Sequence, residues 1–311
     1  MKPSPTRRTI APMKAVAGEL PHDDEQWAYE IKWDGYRTIV FVDDGAVRLQ
    51  SSNLIDVTAR WPELGALGGS VNANAAVLDG EVVAHDDTGV PRFELLQRGE
   101  VPVTYLAFDV LSVNGTDTAA LPYEQRRRLL EQLLEPGPHW SVPSYQVGAG
   151  ATLLTVTAAR GLEGVVAKRL GSRYVPGKRS SDWRKIKHRA DQELVVGGWR
   201  PGTGSRAATF GALLLGYYEG DQLCFAGSVG SGFDQRALAE LDTWMWDHRR
   251  ADCPFTTPPP RPYSADATWV EPEMVVQVAF TEWTSDGLLR HPVFLGRRDD
   301  KPARDVRRET R

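Results

Sequence analysis

Residues 30–37 read Glu-Ile-Lys-Trp-Asp-Gly-Tyr-Arg, and this stretch places Lys32 directly after an apolar strand. The Asp-Gly pair that follows is a turn signal, so the stretch predicts a strand end with a lysine beside a turn. The reference pKa of a lysine is about 10.4, and desolvation or neighbouring cations lower it. A neutral lysine is a good nucleophile toward carbonyl carbon or phosphorus. Taken alone, however, the string is weak evidence and is typical of a surface hairpin.

Five further segments carry charged or aromatic side chains at the ends of apolar runs. They are residues 78–81, 106–110, 162–168, 183–187 and 298–301. In the third of them, Glu163 precedes a glycine and a strand of buried character. In the fourth, Lys185 and Lys187 lie on one face of a strand, because residues i and i+2 point the same way. Together with residues 30–37, these segments supply lysines, carboxylates and a phenylalanine at strand ends.

The composition is that of a folded globular protein. Of the 311 residues, 41% are hydrophobic and 25% are charged, which excludes a disordered chain. No apolar run approaches the ~18 residues of a membrane helix, and no apolar segment follows the basic N-terminus as in a secretory signal. The two cysteines, Cys224 and Cys253, exclude a disulfide framework and a four-cysteine zinc site. We therefore expect a cytoplasmic location.

Positive charge is concentrated in two stretches of an otherwise acidic chain. Residues 168–189 contain nine lysines and arginines and one acidic residue, and residues 297–311 contain seven and four. The formal net charge of the whole chain is −4, so the remaining residues are strongly acidic. Such clustering is typical of a surface that binds polyphosphate or nucleic acid. Two solvated basic faces remain the alternative at this point.

The strand and helix patterns predict an α+β fold with two domains. Residues 1–190 mix short strands with helices predicted over 123–134 and 153–161. Residues 191–311 are dominated by strands, with one helix over 235–246. The second half is similar in pattern to an OB-fold, and we expect it to form a small β-barrel.

The six segments, in this order and at these spacings, resemble the nucleotidyltransferase motifs of ATP-dependent DNA ligases. The resemblance is greatest to the bacterial ligases of non-homologous end joining. It extends from residue 12 to about residue 309 and includes residues 56–60, 174–179 and 288–292 outside the motifs. It implies that residues 1–190 form an adenylation (nucleotidyltransferase) domain of mixed sheets and helices and that residues 191–311 form an OB-fold β-barrel domain.

The resemblance also implies a reaction in three steps. Lys32 attacks the α-phosphorus of ATP, releases pyrophosphate and becomes a lysyl-adenylate. The AMP then passes to the 5′-phosphate of a nick, and the neighbouring 3′-hydroxyl attacks that phosphate and releases AMP. The implied cofactors are ATP and Mg²⁺ (or Mn²⁺), and Glu163 is the implied metal ligand because Mg²⁺ prefers oxygen ligands.

The family's nucleotide contacts fall on residues of this chain that match its motifs. In the adenosine part, Phe108 would stack on adenine, Glu30 would contact adenine through the backbone, and Arg37 and Glu81 would contact the ribose. Without the resemblance, Phe108 on its apolar strand reads as a core residue. Lys185 and Lys187 would contact the α-phosphate, and Arg179 matches a further nucleotide-contacting arginine. The closing motif of the second domain, which folds over the pyrophosphate, would consist of Arg298, Asp300 and Lys301.

The chain departs from the family after its second strand. Where the family has Ser-Arg-Asn-Gly, residues 51–54 read Ser-Ser-Asn-Leu. Ser52 is short and neutral, so a charge-assisted contact worth about 1.5–3 kcal/mol could be missing. Leu54 cannot easily adopt the positive φ that glycine allows. We therefore expect self-adenylation with a slower later step.

Several functions share this chemistry. An RNA ligase or an mRNA capping enzyme would use the same lysyl-nucleotide step, and a degenerate module could bind DNA ends without catalysis. The absent cysteine cluster and the chain length argue against an NAD-dependent ligase. The partners expected from the ligase interpretation are nicked or broken double-stranded DNA and a Ku-like end-binding protein. We further expect a monomer in the bacterial cytoplasm, associated with the nucleoid, without a separate DNA-encircling domain before Lys32.

Overall fold

The computed structural model describes residues 9–188 and 190–309, which divide into two compact units at His188. No helix in these residues is both long and apolar enough to cross a bilayer. The predicted α+β class is confirmed, with a nucleotidyltransferase unit followed by an OB-fold unit. That residues 1–190 and 191–311 fold and act as separate domains stays a prediction.

Unit 1 contains eleven strands and three α-helices in its described residues. Its strands are β1 Lys14–Ala17, β2 Trp27–Ile31, β3 Tyr36–Asp43, β4 Ala46–Ser51, β5 Ala75–Val83, β6 Thr104–Val113, β7 Thr116–Asp117, β8 Trp140–Ser141, β9 Gln146–Val147, β10 Gly164–Arg169 and β11 Arg179–Lys187. Its helices are α1 Phe93–Arg98, α2 Tyr123–Leu133 and α3 Gly150–Ala159, with short 3-10 helices at Asp24–Gln26, Thr58–Arg60 and Pro62–Ser70. The predicted helices over 123–134 and 153–161 thus correspond to α2 and α3.

The strands of unit 1 form two sheets. One has the order β1-β11-β10-β2-β9, and the other has the order β4-β3-β5-β6-β7 with β8 beside β6. Because side chains alternate along a strand, each sheet has two distinct faces. On the first sheet, Tyr29, Val165 and Ile186 share the face that packs against Leu153 and Leu154 of α3. The opposite face is left for the polar residues of the motifs.

A second apolar cluster joins the polar face of the first sheet to the second sheet. Trp183 of β11 packs in it with Ile39 of β3, Val77 of β5 and Phe108 of β6. The far face of the second sheet is covered by the largest cluster of unit 1, to which Leu130 of α2 contributes. The motif residues therefore lie where the two sheets meet, between well-packed apolar layers.

Unit 2 is built on one branched sheet and a separate two-stranded sheet. Its elements are β12 Ala190–Pro201, β13 Phe210–Glu219, β14 Gln222–Val229, α4 Gln235–Asp247, β15 Arg249–Arg250, α5 Arg261–Ser264, β16 Thr268–Val270, β17 Val275–Phe280, β18 Glu282–Trp283, β19 Leu289–Arg290 and β20 Val293–Arg298, with 3-10 helices at Gly204–Arg206 and Ala303–Asp305. The main path runs β14-β13-β12-β16-β15, and β17 joins β12 to β20. The helix predicted over 235–246 is α4.

The expected barrel is not closed within the described residues. The segment after β14 reaches β20 through a backbone hydrogen bond in which the Phe294 amide donates to the Ser231 carbonyl at 2.9 Å. Gly232 then takes φ of +93°, and the chain turns away toward α4 instead of continuing as a paired strand. The predicted OB-fold is thus present as an open OB-type sheet, whose described strands do not close into a barrel.

The loop after β4 holds the departure from the family at residues 52–54. Leu54 has φ of +65°, so the backbone keeps a glycine-type conformation although the residue is leucine. A left-handed conformation costs an L-residue roughly 1–2 kcal/mol, and glycine in its place costs about 0.5–1 kcal/mol of chain entropy. We expect Leu54→Gly to raise the free energy of unfolding by about 0.5–1 kcal/mol.

A matched control for Leu54→Gly is Leu121→Gly. Leu121 is similarly exposed, at 36% against 44% for Leu54, and its φ is not positive. We expect this control to lower the free energy of unfolding by about 0.5–1 kcal/mol, because glycine there adds entropy cost without relieving strain. Thermal or urea unfolding measures the change in the free energy of unfolding for both variants. Equal destabilisation by the two substitutions would show that the conformation of Leu54 carries no strain.

Candidate active site

Three strand ends place Lys32, Glu163 and Lys187 together. The Lys32 amide donates to the Gly164 carbonyl at 2.9 Å, and Gly164 is the register partner of Lys187 across β10 and β11. Gly164 has φ of +150°, and a Cβ there would lie 2.1 Å from the Ile186 carbonyl oxygen. The glycine is therefore required for the close approach of the two strands that sets Glu163 between the lysines.

The Glu163 carboxylate binds both ammonium groups. Lys32 donates to Oε2, and Lys187 Nζ lies 2.8 Å from Oε1. The three side chains are 13–22% exposed, so the cluster is largely screened from water. Burial alone would raise the pKa of Glu163, but the charges of Lys187 and Lys32 lower it to about 2. The cluster presents a net positive charge beside an oxygen ligand.

The acid stability of unit 1 should depend on Glu163. A folded pKa near 2, against 4.5 for the ordinary carboxyl, means that the ionised group stabilises the fold above about pH 4.5. This contribution is lost as the pH falls from about 4.5 toward 2, and the loss is of the order of 2 kcal/mol. We expect the free energy of unfolding of Glu163→Gln to vary less over this range. Parallel pH profiles of the two proteins would contradict the coupling.

Lys168 is a buried ammonium that sequence reasoning quoted only as the end of its motif. Its Nζ lies 2.6 Å from Oε2 of Glu30, and Tyr123 donates its hydroxyl to Oε1 of the same carboxylate. The Nζ also lies 4.1 Å from the ring centroid of Phe108 and 4.4 Å from that of Trp183. Burial lowers the pKa of Lys168, although Glu30 opposes this effect. Lys168 pairs with Ala28, and Ala28 lies on the same strand face as Glu30. This pairing of β10 with β2 is the signal that would have revealed the contact between Lys168 and Glu30.

Arg37 is held by a network that the sequence analysis did not foresee. Its Nε and Nη2 both donate to Asp79, with the Nε to Oδ1 distance 2.6 Å, and Tyr174 donates to the same buried carboxylate at 2.6 Å. Burial alone would lower the pKa of Arg37, but Asp79 raises it above the ordinary arginine value. Glu81, predicted to contact ribose with Arg37, is its register partner on β5. The structure thus brings these two predicted residues together.

Phe108 lies at the centre of this arrangement and is 7% exposed. Its ring centroid is 4.6 Å from the Arg37 guanidinium carbon. In this structure Phe108 packs as a core residue, which is one of the two interpretations made from the sequence. Its stacking on adenine stays a prediction. Directly after it, Asp109 is fully buried and forms a bidentate pair with Arg126 of α2, at 2.7 and 2.9 Å. This pair fixes the strand that carries Phe108.

The remaining phosphate-directed residues of unit 1 lie along β11. Lys185 pairs with Val166 and shares its strand face with Lys187, as predicted from the sequence. Arg179 begins the strand, where its Nη1 donates to the Ala15 carbonyl at 2.7 Å. Eight residues of extended chain, about 26 Å, separate Arg179 from Lys187. The structure therefore does not bring Arg179 to the lysine cluster.

The last motif lies at the end of β20 in unit 2. Arg298 forms a bidentate pair with Asp300, with both distances 2.8 Å, and Lys301 Nζ lies 3.2 Å from Oε2 of Glu193. The arginine pair is only 12% exposed on each side. These contacts order the motif within its own unit.

Among the described residues, no group of three or more histidine, cysteine, aspartate or glutamate side chains could hold a metal ion. Glu163 is the oxygen donor of the lysine cluster. A single carboxylate suits Mg²⁺, which is usually bound through one or two carboxylates together with waters and substrate phosphates. The donor set therefore fits a magnesium ion that arrives with a nucleotide.

Comparison with known families matches both units. The model of the ATP dependent DNA ligase domain matches residues 11–187, and that of the ATP dependent DNA ligase C terminal region matches residues 206–301. The multifunctional non-homologous end joining DNA repair protein LigD of Mycobacterium tuberculosis is 42% identical over 303 residues, which cover 96% of this chain and 40% of that protein. A DNA ligase of Natronomonas pharaonis is 33% identical over 326 residues, covering 96% and 57%.

Solved structures give the same result. A mycobacterial DNA ligase D complexed with ATP and MES is 40% identical, with a TM-score of 0.71, and the match covers 96% of this chain and 98% of that one. The ligase domain of LigD from M. tuberculosis is also 40% identical, with a TM-score of 0.55 and the same coverage. This chain spans about 40% of the length of the LigD proteins that it matches.

Proposed function

The chain belongs to the family of ATP-dependent DNA ligases, and on that premise we propose that it seals nicks between a 5′-phosphate and a 3′-hydroxyl through an adenylate on Lys32. The observation that carries the proposal is the contact of Lys32 and Lys187 with one carboxylate, that of Glu163. A nucleophilic amine and a second cation are thereby held at one point. This is the pair of groups that attack on a phosphate ester requires.

The division of labour follows from the chemistry of each group. Lys32 Nζ, once its ammonium has given a proton to solvent, forms a bond to the α-phosphorus as the bond from that phosphorus to pyrophosphate breaks and pyrophosphate leaves. Lys187, with Lys185 on the same strand face, neutralises the charge that develops on the phosphate oxygens. Glu163 orients the amine. When bound, Mg²⁺ would add Lewis-acid charge at the phosphates, with Glu163 as its protein ligand.

The adenosine contacts are proposed for the layer between the sheets. Glu30 is fixed there by Lys168 and Tyr123, and Phe108 lies beside them. Two nitrogens of Arg37 donate to Asp79, so we propose that the other side of the guanidinium contacts the ribose. Glu81, the register partner of Arg37, is proposed to contact the ribose as well. In unit 2, we propose that Arg298 and Lys301 act on the pyrophosphate side. Arg179 is proposed to contact phosphate away from the lysine cluster.

We also propose the setting in which the activity is used. The relatives named for non-homologous end joining support a role in the repair of broken double-stranded DNA, with a Ku-like end-binding protein as partner. The protein would act as a monomer at DNA in the bacterial cytoplasm. The basic stretches at residues 168–189 and 297–311 would supply phosphate contacts that depend on salt but not on sequence.

The test of this function is the joining of a nicked duplex labelled at the 5′-phosphate of the nick, with ATP and Mg²⁺. We expect labelled product of full length from a DNA nick and none when the 5′-phosphate is absent. Joining of an RNA nick in preference to a DNA nick would instead identify an RNA ligase. Charging of the protein with AMP without joining of any nick would identify a binding module that has lost the later steps.

A further prediction concerns Ser52. If the missing arginine contact slows a step after adenylation, Ser52→Arg should accelerate AMP transfer or phosphodiester formation by roughly one to two decades. Single-turnover assays that start from the pre-adenylated protein measure these steps apart from charging. Unchanged rates in every step would show that serine at this position costs the enzyme nothing.

A further inference from the structure

The loop that follows β4 presents two adjacent apolar side chains to solvent. Leu54 is 44% exposed and Ile55 is 60% exposed. Ile55 is the most exposed large hydrophobic residue in the described part of the chain. Isolated exposed apolar residues are ordinary on protein surfaces, but a pair at the tip of one loop forms a small patch. This apolar tip has no part in the adenylation chemistry proposed above.

The apolar tip is held in place by local hydrogen bonds. The Ser51 amide donates to the Ile55 carbonyl at 2.9 Å, the Leu54 amide donates to the Ser51 carbonyl at 2.9 Å, and the Ile55 amide contacts Ser51 Oγ at 3.3 Å. Leu54 sits at φ of +65° within this ring of contacts. The loop thus holds a leucine in a left-handed conformation while leaving it 44% exposed. Strain of this kind concentrates at functional sites.

The strand register locates the apolar tip in unit 1. Ser51 is the partner of Thr38, so β4 ends beside the first residues of β3. The turn that contains Lys32 leads into β3 at Tyr36. The tip and the Lys32 turn therefore lie at the same end of the second sheet. A polynucleotide whose nick reaches Lys32 passes this end of the sheet.

We propose that Leu54 and Ile55 pack against the sugars and base edges of the duplex next to the nick. The proposal rests on the proposed ligase function. Ser52 supplies no charge for a phosphate, so the loop has exchanged an ionic contact for an apolar one. Apolar side chains are known to wedge against bases and sugars in the minor groove. Such a contact contributes to affinity without adding to its salt dependence, which counts neutralised phosphates.

The experiment measures binding of the AMP-charged protein to a nicked duplex whose 3′-end is dideoxy, over a range of salt concentrations. Ile55→Ser should raise Kd by about 5- to 10-fold, the effect of losing part of a buried isoleucine contact. The slope of log Kd against log salt should stay unchanged. Ser52→Arg should steepen this slope by about 0.9, the value for one added phosphate contact.

The matched control is Val156→Ser, on α3, because Val156 is 40% exposed and lies outside the loop. Equal Kd values for Ile55→Ser and Val156→Ser would overturn the proposal. A change in sedimentation from dimer to monomer in Ile55→Ser would overturn it too, since the tip would then bind a second copy. Failure of the wild type to take label from ATP would refute the ligase function instead, so the two failures are distinguishable.

Discussion

Lys32→Ala should abolish covalent labelling of the protein by α-labelled ATP. The structure holds this lysine against Glu163, and alanine has no group that can form a bond to phosphorus. Removal of a nucleophile that acts covalently should cost at least about 10³-fold in labelling rate. The measurement is label that stays on the denatured protein at neutral or alkaline pH, because the bond from a lysine nitrogen to phosphorus is labile in acid; the protein is first incubated with ATP, GTP or NAD and with Mg²⁺ or Mn²⁺. Label should come from ATP alone.

The matched control is Lys14→Ala. Lys14 is an exposed lysine on β1 of the same unit, so its loss removes the same charge without touching the cluster. We expect it to take label at the wild-type rate. Label that persists in Lys32→Ala would assign the nucleophile to another residue. Absence of label in the folded wild type, freed of bound AMP, would refute the lysyl-adenylate and leave a binding module.

The local signals at Lys32, Glu163 and Lys187 could be read from the sequence, because each residue lies at a strand end, but only the resemblance to the ligase motifs implied that the three act at one site. An Asp-Gly turn follows Lys32, and a glycine follows Glu163. Alternation then placed Lys185 and Lys187 on one face, and the register of β10 and β11 agrees with it. Periodicity therefore predicts which residues share a strand face, whereas a turn signal alone is as typical of a surface hairpin as of an active site.

The supporting ion pairs could not be predicted, because their partners are distant in sequence. Arg37 meets Asp79 across 42 residues, and Lys168 meets Glu30 across 138. Each charge looks like a turn or surface residue until the strands that carry the two partners are paired within their sheet. That the sheet of unit 2 stays open could not be predicted for a similar reason, since closure depends on whether the chain beyond Ser231 continues as a strand beside β20. The hydrophobic pattern of a sequence predicts strands, but it does not predict which strand edges pair with each other.

The second large effect should be on stability, from the buried pair of Arg126 and Asp109. Both side chains are 0% exposed, and Arg126 also donates to the carbonyls of Leu121 and Ser172 at 2.6 and 2.9 Å. Arg126→Met would leave Asp109 as a buried charge without its partner. We expect a loss of about 3–5 kcal/mol in the free energy of unfolding of unit 1. Calorimetry or urea unfolding measures it.

Arg128→Met is the control that separates burial from charge, because it makes the same substitution two residues further along α2. Arg128 pairs with Glu124 at 3.1 Å, but the two side chains are 68% and 41% exposed, and such pairs contribute only about 0.3–0.5 kcal/mol. The double variant Arg126→Met with Asp109→Leu should recover most of the loss, since it removes both buried charges. If Arg126→Met proved as mild as Arg128→Met, water must reach Asp109. The layer that carries Phe108 would then be open to solvent, and the proposed adenine contact would lose the dry surface on which stacking depends.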